Sequence, residues 1–316
     1  MNASVDVTET DAPIPWSHRT IVSDGEEIYT ESAGPASLAT AEDQGDDLGD
    51  RDRVRDRHDG GDRNGDNNVI VLCHGAGGSH AVWFNQVARF ARDHRVITWD
   101  ARGFGISTDR AGRSGARAAI GDLVAVLDAH GVRHAHLVGQ SMGGWTVIGF
   151  TIAHPERVRS LTLANSIGGV TVDSWLARMR TQPMARPAQA VGRHPALGPR
   201  LKATNPAAAF LYQQLGGAGY GGTAGVPAHV MASLRETHFE PADIAAIGCP
   251  VLLITASDDE IFPPDLIDET ARRFSSSTSA MVRRLDGAGH SPYFEAPEAW
   301  NAVFAEFLAG KAASAR

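Results

Sequence analysis

A short glycine-rich motif, Gly-Gln-Ser-Met-Gly at residues 139–143, constrains the fold of this chain more than any other feature. An apolar run at 135–138 precedes the motif and a helix-like segment at 145–153 follows it, so the context predicts a strand, a sharp turn and a helix. The two flanking glycines allow backbones to approach where a side chain would clash. Ser141 at the tip of that turn would be exposed at the end of a sheet, above a helix N-terminus, as a serine nucleophile requires. A plain glycine turn is the alternative, since the chain has 34 glycines.

Two downstream loops offer the other groups that such a serine needs. A serine hydroxyl becomes nucleophilic when a base removes its proton, and an acid must orient that base. Residues 250–255 read as a buried strand that runs out into Asp258 and Asp259, and the strand-like segment 280–285 precedes Gly-Ala-Gly and then His290. Either aspartate fits this pattern as the acid.

Further motifs stand in an order that is typical of one family. His-Gly-Ala-Gly-Gly at 74–78 follows one apolar run, and Asp-Ala-Arg-Gly-Phe-Gly-Ile-Ser at 100–107 follows the next. After the serine motif come an acid loop ending at Pro263 and the terminal Gly-His. From about residue 16 to residue 308, apart from a middle segment and one insertion, the chain resembles the α/β-hydrolase family.

The resemblance also assigns the catalytic roles. The family's acid lies three residues after a small residue and four before a proline, and Ala256 and Pro263 fit Asp259 rather than Asp258. Some members place the acid after the sixth strand, where this chain has Asn165, but an amide cannot stabilise an imidazolium as a carboxylate does. By the resemblance the nucleophile, the base and the acid are Ser141, His290 and Asp259.

An oxyanion hole is the third component of acyl-transfer catalysis, because two backbone N–H groups must stabilise the negative oxygen of the tetrahedral intermediate. Met142, directly after the serine, is expected to supply one donor. The loop after the strand-like run 69–73 supplies the other, and we expect Ala76, with Gly77 as the alternative. His74 in the same loop is expected to shape it rather than to move protons.

Strand-like and helix-like segments alternate along most of the chain. Apolar residues keep helical spacing over 118–130, and 161–164 reads as a strand. Such alternation predicts an α/β fold with a mostly parallel sheet and helices on both faces. We also expect Asp100 and Arg102 to pin a turn through a mutual hydrogen bond, and Glu295 to tie down the C-terminal loop.

The organisation that follows has five segments. They are 1–35, an N-terminal segment and hairpin of the core; 36–68, an acidic insertion; 69–165, the core with the nucleophile; 166–247, a helical cap; and 248–316, the rest of the core with acid and base. The insertion is rich in Asp, Arg and Gly and almost free of large apolar residues, so we predict that it is mostly disordered. It enters the next strand at its N-terminal end, opposite the catalytic loops.

The cap segment lies over the nucleophile in the family that the chain resembles. Its aromatic and Met side chains either line an acyl pocket or pack the cap against the core. The candidate pocket residues are Gly77, Trp175, Met179, Phe210 and Tyr212. Residues 173–202 also hold six cations and one acid, which is either a solvated surface or a site that attracts a substrate carboxylate or phosphate.

Composition excludes several other classes. A net charge of −8 argues against nucleic-acid partners, no apolar run approaches a membrane span, and residues 1–15 lack the apolar core of a signal peptide. Cys73 and Cys249 are expected to be buried free thiols, which suits a cytoplasmic protein. His134 and His136 share a strand face, but no further ligand joins them at metal spacing, so neither a metal nor another cofactor is expected. No oligomeric state follows from the sequence.

These features predict a cofactor-independent serine hydrolase that cleaves a carboxylic ester or lactone of a small molecule through an acyl-enzyme. Other functions use the same scaffold, because fold does not fix function. The alternatives are hydrolysis of an enol-lactone, a thioester or the C–C bond of a meta-cleavage product, a cofactor-free haloperoxidase, and a small-ligand receptor that retains the triad.

Overall fold

The computed structural model describes residues 13–35, 68–175, 194–216, 226–274 and 280–314. The predicted insertion, apart from Asn68, lies outside these ranges, and so does part of the predicted cap.

Eight strands of the described chain form one sheet. They are β1 Trp16–Ser23, β2 Glu26–Ala33, β3 Val69–Cys73, β4 Arg95–Trp99, β5 Ala135–Gln140, β6 Val158–Ala164, β7 Val251–Ala256 and β8 Met281–Leu285. Their spatial order is β1-β2-β4-β3-β5-β6-β7-β8. β2 is antiparallel to β1 and β4, and the remaining neighbours are parallel. The predicted α/β fold with a mostly parallel sheet is therefore confirmed.

Helices connect most of these strands and also occur in the described part of the segment predicted as the cap. They are α1 Phe84–Phe90, α2 Ala116–Ala129, α3 Gly143–Ala153, α4 Pro199–Thr204, α5 Pro206–Gly216, α6 Ala228–Glu236, α7 Pro241–Ala245, α8 Pro264–Ala271, α9 Pro292–Glu295 and α10 Pro297–Ser314. Helices α4 to α7 fall within the segment predicted as the cap. Within the ranges above, none of these helices is long and apolar enough to cross a membrane.

Two apolar clusters hold the helices against the two faces of the sheet. Along β3, Val71 packs into the cluster under α2 and α3, whereas its neighbour Leu72 packs into the cluster under α1 and α10. This alternation follows from the two-residue period of a strand. Trp83 and Trp300 are fully buried in the second cluster, and burying a large apolar side chain stabilises the fold by about 1.5–3 kcal/mol.

The strand register places the carboxyl ends of the parallel strands at one edge. Cys73, the last residue of β3, pairs with Trp99 and Gly139. Gln140 at the end of β5 pairs with Ala164 at the end of β6, and β7 and β8 also end side by side. Loops that leave these strands therefore meet at a common edge, where open α/β sheets bind their ligands.

The prediction that Asp100 and Arg102 form a mutual hydrogen bond was wrong. Asp100 Oδ1 accepts from the backbone N–H and Nδ1 of His80, at 2.6 and 2.8 Å, and Oδ2 accepts from the N–H of Ile106 at 2.8 Å. Arg102 instead forms a two-pronged ion pair with buried Asp122, at 3.1 and 2.7 Å. Arg102 thus compensates a buried carboxylate that would otherwise be costly, whereas Asp100 holds the loop of residues 100–106 against His80.

Candidate active site

Ser141 lies on the sharp turn between β5 and α3. Its φ of +49° is one of the few positive values at a non-glycine residue, and such a conformation costs on the order of 1–3 kcal/mol unless its surroundings impose it. Two hydrogen bonds impose it here. The Ser141 N–H donates to the Ala164 carbonyl at 3.1 Å, and the Ser166 hydroxyl donates to the Ser141 carbonyl at 2.6 Å. The half-buried serine is thereby held at the sheet edge.

The two glycines of the motif are required by close backbone packing. A Cβ atom at Gly139 would lie 2.4 Å from the Gly143 carbonyl oxygen. A Cβ atom at Gly143 would lie 2.3 Å from the Cys73 carbonyl oxygen and 2.9 Å from that of His74. The neighbours of Gly143 are backbone atoms at the end of β3, so they cannot rotate away. Helix α3 can therefore start under the sheet edge only with glycine at position 143.

We expect Gly143→Ala to lower the free energy of unfolding by about 1–3 kcal/mol, the usual cost of overpacking. It should also reduce turnover, because the turn that carries Ser141 shifts. Gly121→Ala is the matched control: it is also a helical glycine, but a Cβ atom there meets nothing within 4 Å. It should be neutral or stabilising by up to about 1 kcal/mol. Thermal denaturation of the two variants checks this, and equal stability would contradict the packing described here.

The turn after β3 approaches Ser141. The Gly78 N–H donates to the Gly75 carbonyl at 3.0 Å, and Gly77 has a φ of +78°, as in a type II turn. A Cβ atom at Gly75 would lie 3.0 Å from the Ser141 Cβ atom, so the turn passes directly beside the serine. Among the described residues, the N–H groups of Ala76 and Met142 donate to no other protein group. They are therefore available to a ligand oxygen.

His74 has a structural role in this turn. Its Nε2 accepts the Ala101 N–H at 3.0 Å, so Nδ1 carries the proton and donates to the Gly75 carbonyl at 2.8 Å. Burial lowers the pKa of the His74 imidazole. With both nitrogens engaged by backbone, His74 fixes the loop and has no free nitrogen for proton transfer.

The structure brings Asp259, and not Asp258, into contact with His290. His290 Nδ1–H donates to Asp259 Oδ2 at 2.9 Å, and both side chains are buried. Asp259 Oδ1 accepts the N–H groups of Ile261 and Phe262, at 2.8 and 2.9 Å. Asp258 instead accepts a hydrogen bond from the Ser257 hydroxyl at 2.7 Å. With its Nδ1 proton fixed in this way, His290 has Nε2 left as an acceptor.

Ser141 and His290 are not hydrogen-bonded to each other within the described parts of the chain. Such contacts are often long in unliganded active sites and shorten when substrate binds. The structure places the serine, the Asp–His pair and the Ala76 turn at the same edge of the sheet.

Asn165 holds Asp259 in place and was not anticipated in this role. It follows β6, is fully buried and has a φ of +48°. Its Nδ2 donates to Asp259 Oδ2 at 2.8 Å, the oxygen that also accepts from His290. The sequence marked this position as an alternative site for the acid, and the amide found there serves as its hydrogen-bond donor.

Gln140 is a second residue that the sequence did not single out. Its Nε2 donates to the His290 carbonyl at 3.1 Å, and the side chain is buried. A Cβ atom at Gly75 would lie only 2.0 Å from the Gln140 Oε1 atom. The Gln140 amide therefore packs directly against Gly75. One amide thus joins β5, the Gly75 turn and the loop that carries His290. Its position next to the serine was the only available signal.

Glu295 ties down the loop that carries His290, as expected. Its Oε1 accepts the N–H groups of Gly289 and Ser291, at 3.0 and 3.3 Å, and its Oε2 accepts the Gly198 N–H at 2.8 Å. Burial raises the pKa of the Glu295 carboxyl, although these N–H groups and the charge of His290 oppose that effect. Because Gly198 belongs to the segment predicted as the cap, the same carboxylate joins that segment to the loop that carries His290.

The predicted pocket residues have different environments. Trp175 packs on Phe262 with ring centroids 5.1 Å apart, and Phe262 lies 5.5 Å from the His290 ring. Tyr212 is buried and shares a 2.6 Å hydrogen bond with the Ser291 hydroxyl. Gly77 lies in the turn beside the nucleophile, Phe210 is 40% exposed, and Met179 lies outside the described residues. The assignment of these residues to a pocket stays a prediction.

His134 lies directly before β5, and His136 lies within it. His136 Nδ1 hydrogen-bonds with the Ser160 hydroxyl of the neighbouring strand at 2.8 Å. Within the described ranges, no three His, Cys, Asp or Glu side chains are grouped closely enough to hold a metal ion.

Comparison with known proteins gives relatives along most of the chain. The model of the alpha/beta hydrolase family matches residues 70–303. The chain is 29% identical over 257 residues to a protein of Caulobacter sp. (strain K31) provisionally named carbamate hydrolase RutD, covering 78% of this chain and 93% of the relative. It is 30% identical over 262 residues to a 2-hydroxy-6-oxononadienedioate/2-hydroxy-6-oxononatrienedioate hydrolase of Burkholderia vietnamiensis (strain G4 / LMG 22486), covering 77% and 87%.

A solved structure shows the same fold. The enol-lactonase from Burkholderia xenovorans LB400 superposes with a TM-score of 0.68 and 20% identity, covering 92% of this chain and 100% of that chain. At this identity the likeness concerns the fold alone. The family model, by contrast, covers about three quarters of the sequence. It includes the turn that carries Ser141 and the loops that carry Asp259 and His290. The protein is therefore a member of the alpha/beta hydrolase family.

Proposed function

We propose that the protein is a cofactor-independent serine hydrolase that cleaves a carboxylic ester or lactone of a small molecule through an acyl-enzyme. The observation that carries this proposal is the Asp259–His290 pair. Its free Nε2 lies at the same sheet edge as Ser141, a serine held at positive φ. Nucleophile, base and acid then come from the ends of β5, β8 and β7.

In the first step His290 Nε2 takes the proton of Ser141 as its oxygen attacks the acyl carbon. The substrate carbonyl oxygen becomes negative and accepts the N–H groups of Met142 and Ala76, each donor contributing several kcal/mol of transition-state stabilisation. Asp259 stabilises the imidazolium that forms and holds its orientation. His290 then gives its proton to the leaving alkoxide oxygen, and the acyl group remains on Ser141.

In the second step a water molecule replaces the alcohol. His290 Nε2 removes a proton from this water, which attacks the acyl carbon, and the same two N–H groups again hold the oxyanion. Collapse of the intermediate returns the proton to Ser141 and releases the acid. No group beyond the five residues already named is required.

An ester or lactone fits these groups better than a C–C bond or a carbamate does. An alkoxide leaves as an oxygen anion, which a single imidazolium can protonate directly. Cleavage of a C–C bond requires in addition that the leaving carbon be protonated, and a carbamate has a less electrophilic carbonyl. The names of the relatives span a carbamate hydrolase, a dioate hydrolase and an enol-lactonase, which supports acyl chemistry without choosing among its bonds.

A substrate screen tests the proposal. Purified protein and its Ser141→Ala variant would be assayed with p-nitrophenyl esters, lactones, acyl-CoA thioesters, an aryl carbamate and a meta-cleavage dioate. We expect turnover of an ester or lactone that the variant lacks. Cleavage of only the carbamate or only the dioate would contradict the ester assignment. Stoichiometric binding of all of them without turnover would favour a receptor.

A further inference from the structure

The chain is acidic, yet the stretch from residue 174 to residue 235 contains no Asp or Glu. Its seven cations are Arg178, Arg180, Arg186, Arg193, Arg200, Lys202 and Arg235. An uncompensated positive stretch in a protein with a net charge of −8 sets up a potential that attracts anions.

The cap segment that begins at His194 lies directly on the loop that carries the base. A Cβ atom at Gly289 would lie 2.3 Å from the Gly198 nitrogen, and Glu295 accepts hydrogen bonds from both of these residues. The His194 ring packs against the edge of Tyr212 with centroids 5.0 Å apart. Tyr212 in turn is hydrogen-bonded to Ser291, the neighbour of His290. His194 is therefore fixed beside the catalytic base.

The orientation of His194 leaves one donor unused. Its Nδ1 accepts the N–H of Ala196 at 3.2 Å, so the proton of the neutral ring is on Nε2. Within the described ranges that Nε2–H has no protein acceptor. Burial, and then the positive charges of His290 and Lys202, lower the pKa of His194 to about 4. At neutral pH His194 is thus a neutral donor close to two groups that bear or acquire positive charge.

Lys202 is the second positively charged neighbour of His194. It lies on α4 and is half-buried. It forms no ion pair with any described residue. In a half-buried lysine the stem is covered and the ammonium stays in contact with water, and here no carboxylate of the described residues pairs with it. The Lys202 ammonium is therefore open to pairing with an anion from outside the protein.

We infer that His194 Nε2–H and the Lys202 ammonium form a subsite for a carboxylate on the substrate. On this reading the enzyme acts on acyl compounds that carry a second, ionised acid group some distance from the bond that is cleaved. The inference rests on the proposed function for the reacting end of that substrate. A hydrogen bond from His194 fixes the position of the carboxylate and Lys202 neutralises it, as charge-assisted pairs do.

The test uses equilibrium binding to the intact Ser141→Ala chain, so that no turnover is needed. Monoethyl adipate carries one ester and one carboxylate, and ethyl adipamate is its neutral amide analogue. We expect NMR titration at low salt to give a Kd about tenfold or more lower for the acid than for the amide. Added to the Ser141→Ala chain, His194→Phe keeps a ring against Tyr212 and Lys202→Met keeps the apolar stem. Each should reduce the preference about fivefold or more.

Arg235→Met in the same background is the matched control. Arg235 also belongs to the acid-free stretch, but it lies exposed on α6, which is hydrogen-bonded to α2 through Ser233 and Ala116. It should leave the preference unchanged. Equal binding of acid and amide, or the same loss in the Arg235→Met and Lys202→Met variants, would overturn the subsite. A His194→Phe variant that weakens both ligands equally would also overturn it, because the role of His194 would then be structural.

The outcome is separable from that of the proposed function. If wild-type protein hydrolyses esters and the Ser141→Ala chain shows no preference for the acid, the subsite is wrong and the serine hydrolase stands. The opposite outcome is that the wild-type protein turns over no ester, while the Ser141→Ala chain still prefers the acid in a way that depends on Lys202. In that case the subsite stands and the proposed reaction is wrong. The contact between the carboxylate and His194 has a test of its own. The bound carboxylate should raise the pKa of His194, and an unchanged pKa would contradict the contact.

Discussion

Ser141→Ala should lower kcat/KM for the best ester or lactone by at least about 10⁴-fold, which corresponds to about 5.5 kcal/mol in the activation barrier. The variant removes the oxygen that forms the acyl-enzyme and leaves the oxyanion donors and the Asp259–His290 pair in place. It should also abolish covalent labelling by a fluorophosphonate. Because the side chains differ by one atom and the strained φ of +49° is common to both, the Tm should stay nearly unchanged.

Ser17→Ala is the control for labelling. Ser17 lies on β1, the edge strand, four places away from β5 in the sheet, and the variant should keep both turnover and labelling. Wild-type protein that hydrolyses esters but carries the label on another residue would contradict the mechanism. A Ser141→Ala variant that retains substantial turnover of the same ester would contradict it as well.

Asp259→Asn should reduce kcat by about 10³ to 10⁴-fold, with little change in KM. The reason lies in the hydrogen bonds around the carboxylate. Two N–H groups, those of Ile261 and Phe262, point at Oδ1, so the amide oxygen of the variant would stay there. Its NH₂ group would then replace Oδ2 and face His290 Nδ1. A donor at that point forces the imidazole proton onto Nε2, where it blocks proton removal from Ser141.

Asp258→Asn is the control for this substitution. Its carboxylate accepts a hydrogen bond from the Ser257 hydroxyl, and an amide oxygen can accept the same bond. We expect its kcat to stay within about threefold of the wild-type value. Steady-state kinetics of the two variants, with Tm measured to verify folding, decide the matter. If Asp258→Asn proved the more damaging of the two, the acid would be misplaced by one residue.

Three side chains from separate parts of the fold fix the orientation of the base and its acid. Asn165 after β6 donates to the Asp259 carboxylate. Gln140 at the end of β5 donates to the His290 carbonyl. Glu295 in α9 accepts from the N–H groups on both sides of His290. Since misplacement of a catalytic group by about 1 Å can cost a hundredfold in rate, contacts of this kind are needed to hold the base in place.

The sequence alone determined the local elements and their order. Strands β3, β5 and β7 are near-continuous apolar runs, the pattern of strands buried on both faces, and their predicted bounds agree with the structure to within two residues. The serine motif, the glycine turn and the two downstream loops were equally readable, because each depends on a few adjacent residues. The choice of Asp259 over Asp258 came from the resemblance to the family, and Asp259 is the aspartate that contacts His290.

Only the tertiary structure decided which distant side chains meet. Asn165 and Asp259 are 94 positions apart, and Gln140 and His290 are 150 apart; neither contact leaves a periodic signal in the chain. The same limit explains the error at Asp100 and Arg102, where nearness in sequence suggested a bond and more distant partners provided better compensation. It also explains why the cap showed only an excess of cations until the structure placed His194 beside the base loop. Hydrophobic periodicity and turn chemistry act over a few residues, whereas polar contacts in a core depend on how the elements pack.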